Sequence, residues 1–61
     1  MKNRIREYRK QNGISQEVLS KKLNVSRQTI NAIENNKYDP TLTLAFKLAK
    51  LFHTTVDELF S

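Results

Sequence analysis

The chain contains no cysteine and no tryptophan, and it has one glycine, one proline and one histidine among its 61 residues. Without cysteine it can form neither a disulfide framework nor a thiolate metal site, and His53 alone cannot hold a metal. The longest apolar run is Leu44 to Phe46, which is far too short to cross a bilayer. The basic N-terminal segment also lacks the apolar core of a secretory signal. We therefore expect a cytoplasmic protein with no metal, cofactor or membrane partner.

The chain is short as well. Its 61 residues allow one small domain, near the lower limit for folding without disulfides or a structural metal. Catalysis requires a nucleophile paired with a base, a metal cluster or an enclosed site, and the sequence indicates none of these. We predict that residues 1–61 form a single domain that is not an enzyme.

The net charge of +5 is unevenly distributed. Residues 1–37 hold nine Lys and Arg against three Asp and Glu, whereas residues 38–61 hold two against three. This division favours one surface that faces a polyanion and a separate surface for packing or pairing. Basic side chains that only keep helix surfaces soluble explain the charge equally well.

The scarcity of glycine, proline and long β-branched runs predicts an all-helical chain. Apolar spacing and capping residues predict helices at about 2–11, 16–23, 27–35 and 42–52, and a short one from Val56. Asn12 and Gly13 end the first helix, and Asn24 favours a left-handed turn after the second. The predicted caps are Ser15, Ser26, Thr41 and Thr55.

Apolar side chains mark the buried face of each helix. Met1, Ile5 and Tyr8 form a thin stripe on the first helix. Leu19 and Leu23 face the core from the second, with Val18 beside them, and Val25 closes the turn. The fourth helix is apolar nearly all round, which predicts packing on several sides. Phe60, close to the C-terminus, has no obvious partner within the chain.

The third predicted helix has a narrow apolar seam, Ile30 and Ile33, and a wide polar front. At 100° per residue, the front consists of Gln28, Asn31, Ala32 and Asn35, and Arg27 is long enough to reach it. Solvated helix faces usually carry Glu and Lys, whereas amides both donate and accept hydrogen bonds and suit the edges of DNA bases. A plain solvent-facing surface is the alternative.

The segments SQEVLS, NVSRQTINAIE and NKYDPTL, in this order and at this spacing, resemble the Cro/repressor-type helix-turn-helix family, often called XRE-like. The resemblance is to its minimal, single-domain members and extends from about Arg4 to Phe60. It implies a compact five-helix, lambda-repressor-like fold whose motif spans about residues 15–35, the second and third helices. In this class the second helix of the motif enters the major groove of DNA.

The resemblance also assigns roles to individual residues. It implies base-reading positions at Arg27, Gln28, Asn31 and Ala32. It implies that Gln16, at the start of the second helix, holds a phosphate, and this side chain could also brace Gln28. Further candidate phosphate contacts are Ser26, Thr29, Asn35, Lys37 and Tyr38. Arg9 and Glu34 match a structural ion pair of the family. Lys2, Arg4, Arg6 and Lys10 are expected to form a solvated basic face.

These implications favour a prokaryotic, sequence-specific regulator of transcription that binds double-stranded DNA. We expect a bacterial or phage repressor, associated with the nucleoid, that occupies a palindromic operator as a homodimer. Leu51, Val56 and Phe60 are the expected dimer contacts, and a regulatory protein partner is possible. An antitoxin of a toxin–antitoxin pair and a protein-binding adaptor with only non-specific affinity for DNA are the alternatives. The antitoxin would co-purify with its toxin, and the adaptor would bind all sequences equally.

Overall fold

A computed structural model describes residues 2–61, and within them it contains helices and no strands. The helices are α1 (Ile5–Gln11), α2 (Gln16–Leu23), α3 (Arg27–Glu34), α4 (Leu42–Leu51) and α5 (Val56–Leu59). The predicted all-α fold is therefore confirmed. The predicted apolar contact of Met1 lies outside the described residues.

A residue with a hydroxyl side chain caps the N-terminus of each helix from α2 to α5. The oxygens of Ser15 and Ser26 accept hydrogen bonds from backbone N–H groups three residues later, and Thr41 and Thr55 do the same. A helix begins with backbone N–H groups that have no partner within the helix, and each such cap contributes about 1 kcal/mol. The four predicted caps are confirmed.

The first helix begins at Ile5 and not near Lys2 as predicted. The Oδ1 of Asn3 accepts a hydrogen bond from the backbone N–H of Ile5 over 3.1 Å. Its Nδ2 donates to the backbone carbonyl of Ile33 over 2.7 Å. Asn3 therefore bonds the first residue of α1 and joins it to the end of α3.

The chain reverses at residues with positive φ. Asn24 follows α2 with φ 57°, in the left-handed region, as predicted. His53 has φ 56° and turns the chain after α4, and Gly13 has φ 65° after α1. Asparagine and histidine adopt this conformation more readily than most other non-glycine residues. The turn at Asn24 fixes the angle between α2 and α3.

All of the helices contribute to one hydrophobic core. The largest apolar residues with less than 2% relative exposure are Ile5, Leu19, Ile30, Ile33, Leu48 and Leu59. Tyr8 extends the core at one side, because its ring lies 5.8 Å from that of Phe52. Its hydroxyl lies 3.0 Å from Oγ1 of Thr54, which donates to the carboxylate of Glu58. These contacts attach α1 to α4 and α5.

The exposure of three apolar side chains differs from the prediction. Val18 is 41% exposed, because Leu19 and Leu23 occupy the inner face of α2 and Val18 lies 100° away from Leu19 around the helix. Leu42 and Phe46 are 67% and 58% exposed, so α4 is packed on one side only. A fold of this size offers too few neighbours to surround a helix.

The prediction for Phe60 also requires correction. Its side chain is half-buried and packs against the core, so it has partners within the chain. Leu51 and Val56 are half-buried in the same way. The three expected dimer contacts therefore already contribute to the core, and only part of each side chain is exposed.

Candidate nucleic-acid interface

The second and third helices and the turn between them present the polar front of α3 to solvent. Ile30 and Ile33 are each 1% exposed, which fixes the rotation of α3 about its axis. Arg27, Gln28 and Asn31 consequently lie on its exposed side. The alternation of apolar and polar positions along α3 therefore predicted its orientation correctly.

Two shallow hollows divide this front. Gln16 joins Arg27, Gln28 and Asn31 around a hollow of about 190 Å³. A second hollow, of about 240 Å³, is lined by Ser26, Gln28, Thr29, Ala32 and Tyr38. The residues predicted to read bases thus line both hollows, together with four of those predicted to hold phosphates.

The amide of Gln16 does not brace Gln28 as predicted. Its Nε2 donates instead to Oε1 of Glu34 over 3.1 Å. A carboxylate accepts a stronger hydrogen bond than a neutral amide oxygen does, which accounts for the difference. Gln16 still lies at the first position of α2 and at the edge of the hollow beside Gln28.

The Glu34 carboxylate joins three helices. Arg9 donates to it twice, from Nε over 2.9 Å and from Nη2 over 3.3 Å. Arg6 donates through Nε over 3.3 Å, and Gln16 completes the set. The Glu34 side chain has no exposed surface, whereas that of Arg9 is 14% exposed. The predicted partners Arg9 and Glu34 therefore lie in contact within a larger cluster.

Two opposing effects act on the pKa of Glu34. Burial raises the pKa, because it disfavours the charged form. Hydrogen bonds from Arg9, Gln16 and Arg6, together with the positive charge of Arg9, outweigh burial and lower the pKa below its ordinary value. Glu34 is therefore held as a carboxylate that fixes the end of α3 against α1 and α2.

The basic face predicted on α1 is only partly solvated. Lys2 and Lys10 are exposed, and Arg4 pairs with Glu7 on the surface. Arg6 instead contacts Glu34 and donates from Nη2 to Oδ1 of Asn35 over 3.3 Å. The sequence did not predict this role for Arg6. The only indication was the spacing of the two arginines, since Arg6 lies three residues before Arg9 on the same side of the helix.

Several predicted phosphate contacts are hydrogen-bonded within the chain. Oγ of Ser26 caps α3 and lies 2.8 Å from Oγ1 of Thr29. Asn35 bonds to Arg6 and to Asn31. Lys37 is exposed, and Tyr38 is 50% exposed at the rim of the second hollow. Polar side chains therefore border the front of α3 along the turn before it and the loop after it.

Over residues 2–61, no helix is long and apolar enough to cross a membrane. The same residues contain no cluster of three or more His, Cys, Asp or Glu side chains that could hold a metal ion.

Comparison with known proteins places this arrangement in a family. Residues 5–59 match the family model described as helix-turn-helix. The chain is 55% identical over 60 residues to an uncharacterized HTH-type transcriptional regulator of Methanocaldococcus jannaschii. This match covers 98% of the chain and 91% of the relative. The chain is 47% identical to one of Archaeoglobus fulgidus, over 98% of this chain and 86% of the relative.

A further relative is bacterial. An uncharacterized HTH-type transcriptional regulator of Bacillus subtilis is 43% identical over 98% of this chain and 91% of its own length. The matches thus extend across the core, the turn at Asn24 and the polar front of α3. The chain belongs to the XRE-type helix-turn-helix family of DNA-binding transcriptional regulators, which are not enzymes.

Proposed function

We propose that this regulator is a repressor that binds a palindromic operator as a homodimer and inserts α3 into the major groove. The observation that carries the proposal is the uncharged amide front of α3, which is exposed opposite the buried seam of Ile30 and Ile33. Amide groups and a short methyl can contact base edges closely, whereas a solvated helix face more often carries Glu and Lys.

The front of α3 offers a different chemistry at each position. Arg27, in the first turn, can donate two hydrogen bonds to O6 and N7 of guanine. Gln28 can pair with N6 and N7 of adenine, and the methyl of Ala32 can contact that of thymine. Asn31 lies one turn beyond Arg27 beside the same hollow. These four residues are proposed to read the operator.

Phosphate contacts are proposed around this front. Gln16 lies at the first position of α2, where backbone N–H groups favour an anion. Lys37 and Tyr38 follow α3 on an exposed loop. From there they can reach the phosphate backbone of a duplex bound at α3. The same role is proposed for Ser26, Thr29 and Asn35. Such contacts set the register of the protein on the duplex and carry no sequence information.

A homodimer follows from the small size of the reading surface. One α3 covers only a few base pairs, so a two-fold pair doubles the contact and reads an inverted repeat. Half-sites are then expected about 34 Å apart, one turn of the duplex. The proposed dimer surface comprises the end of α4 and α5, where Leu51, Val56 and Phe60 keep part of their apolar surface exposed. A bound dimer would repress by blocking polymerase.

Selection of bound sites from random duplexes at physiological salt tests the proposal. The expected product is an inverted repeat whose half-sites are centred about 10 base pairs apart. The selected duplex should then be bound far more tightly than a scrambled duplex of the same composition. Equal competition by the two duplexes would contradict sequence-specific binding, and a single half-site without its repeat would contradict the dimer.

A further inference from the structure

The front of α3 is connected to α1 by a chain of hydrogen bonds. Nη2 of Arg6 donates to Oδ1 of Asn35 over 3.3 Å. Nδ2 of Asn35 donates to Oδ1 of Asn31 over 3.1 Å and to the backbone carbonyl of Asn31 over 2.9 Å. The chain thus begins on a helix outside the motif and ends at a residue beside the hollow on the reading face.

Arg6 and the backbone carbonyl of Asn31 together set the direction of the bonds in this chain. A guanidinium has only donors, so the amide of Asn35 must turn its oxygen toward Arg6. The nitrogen of Asn35 then faces Asn31, whose amide must in turn present its oxygen to Asn35. Because the oxygen and nitrogen of a planar amide lie on opposite edges, the NH₂ group of Asn31 is directed away from Asn35.

The guanidinium of Arg6 is itself anchored. Its Nε donates to Oε1 of Glu34 over 3.3 Å, and the Glu34 side chain is fully enclosed. The planar fork of arginine allows Nε and Nη2 to bond Glu34 and Asn35 at the same time. Lysine keeps the charge at this position but has a single nitrogen, so it does not reproduce both bonds with this geometry.

We infer that Arg6 is a positioning residue for specificity, because it helps to fix the Asn31 amide with its NH₂ group turned away from Asn35 and available to a base edge. The inference rests on the proposed function, in which Asn31 meets a base edge. A presented donor favours guanine or thymine, whose major-groove edges offer acceptors, over cytosine, whose N4 is a donor. An Asn31 amide that turns over presents its oxygen and favours cytosine instead.

Arg6→Lys tests this role, because it retains the charge and removes the fork. Asn31→Ala first identifies the base pair that Asn31 reads, as the position at which preference is lost. At that position, guanine or thymine is expected to be preferred over cytosine in the wild type. Arg6→Lys should lower the ratio of the two affinities by about fivefold. Arg4→Lys is the matched control, because the Arg4 side chain pairs with the surface residue Glu7, and it should leave the ratio unchanged.

Asn35→Ala breaks the same chain at its next link. It should shift preference at the same base pair, and Arg6→Lys should add no further shift in its presence, since both changes act on one amide. Additive shifts in the double variant would overturn the inference. So would an unchanged ratio in Arg6→Lys.

Nuclear magnetic resonance of the DNA-free protein tests the chain without reference to an operator. The side-chain NH₂ groups of Asn31 and Asn35 should be restrained in the wild type, more mobile in Arg6→Lys and unaffected by Arg4→Lys. Equal mobility of these groups in the wild type and Arg6→Lys would overturn the inference even where operator binding is intact. A wild-type chain that prefers no sequence would instead show that the proposed function has failed, and with it the role of Arg6 in specificity.

Discussion

Nε of Arg9 lies 2.9 Å from Oε2 of Glu34, and this contact joins the last turn of α1 to the last residue of α3. The remaining guanidinium nitrogen of Arg9, Nη1, donates to the backbone carbonyl of Ile14 over 3.2 Å. Arg9 therefore holds the end of α3 and the segment that leads into α2. The orientation of α3 depends on a pair of residues that lies on the side opposite its polar front.

Arg9→Met should lower the free energy of unfolding by about 2–4 kcal/mol, because it leaves the enclosed Glu34 carboxylate with only Arg6 and Gln16. Urea titration followed by circular dichroism measures the change. Arg4→Met removes the exposed pair with Glu7 and should change the free energy of unfolding by no more than about 0.5 kcal/mol. Equal losses in the two variants would contradict the structural role of the Arg9–Glu34 pair.

The lowered pKa of Glu34 makes stability depend on pH in a defined direction. The folded state favours the carboxylate, so its contribution to stability is fully present above the ordinary pKa of 4.5 and is lost as the pH falls through the lower folded pKa. Urea midpoints measured from about pH 6 to pH 3 should therefore fall less steeply in Glu34→Gln than in the wild type. Glu17→Gln, which also replaces a carboxylate but on the exposed surface, is the matched control.

Phe60→Ser should weaken dimerisation and operator binding together, because it removes an aromatic ring from the proposed dimer surface. Sedimentation measures the first effect and competition binding the second. Phe60 also packs on its own core, so the stability of the monomer must be measured alongside. Phe46→Ser removes a ring that is 58% exposed on α4 and serves as the control. A shift to monomer in Phe46→Ser alone would place the interface on the outer face of α4.

Local features of this fold could be predicted from the sequence because their partners lie close along the chain. The caps Ser15, Ser26 and Thr41 each accept a hydrogen bond from a backbone N–H three residues later. Asn24 adopts the left-handed conformation that its residue type favours. The spacing of Ile30 and Ile33 likewise predicted which side of α3 is exposed. None of these predictions required knowledge of how the helices pack.

Contacts between distant helices were predictable only in part. The family resemblance supplied the Arg9–Glu34 pair, but it did not supply Arg6 or Gln16 as further donors to Glu34. Their partners depend on the relative positions of α1, α2 and α3, which hydrophobic spacing does not specify. The exposure of Phe46 was missed for a related reason, since an apolar pattern does not show how many neighbours a helix has.

The division between base reading and phosphate binding can be tested with two single changes on the exposed surface. Gln28→Ala should weaken binding to the selected operator by about 1–3 kcal/mol and relax preference at one base pair, because it removes hydrogen bonds to a base edge. Lys37→Ala should weaken binding to all sequences similarly and reduce the dependence of affinity on salt, because fewer counterions are released from the DNA. Affinities measured across a salt series, on selected and scrambled duplexes, separate the two effects. If both variants lose affinity equally on every duplex, the front of α3 does not read bases and the proposed division of roles is wrong.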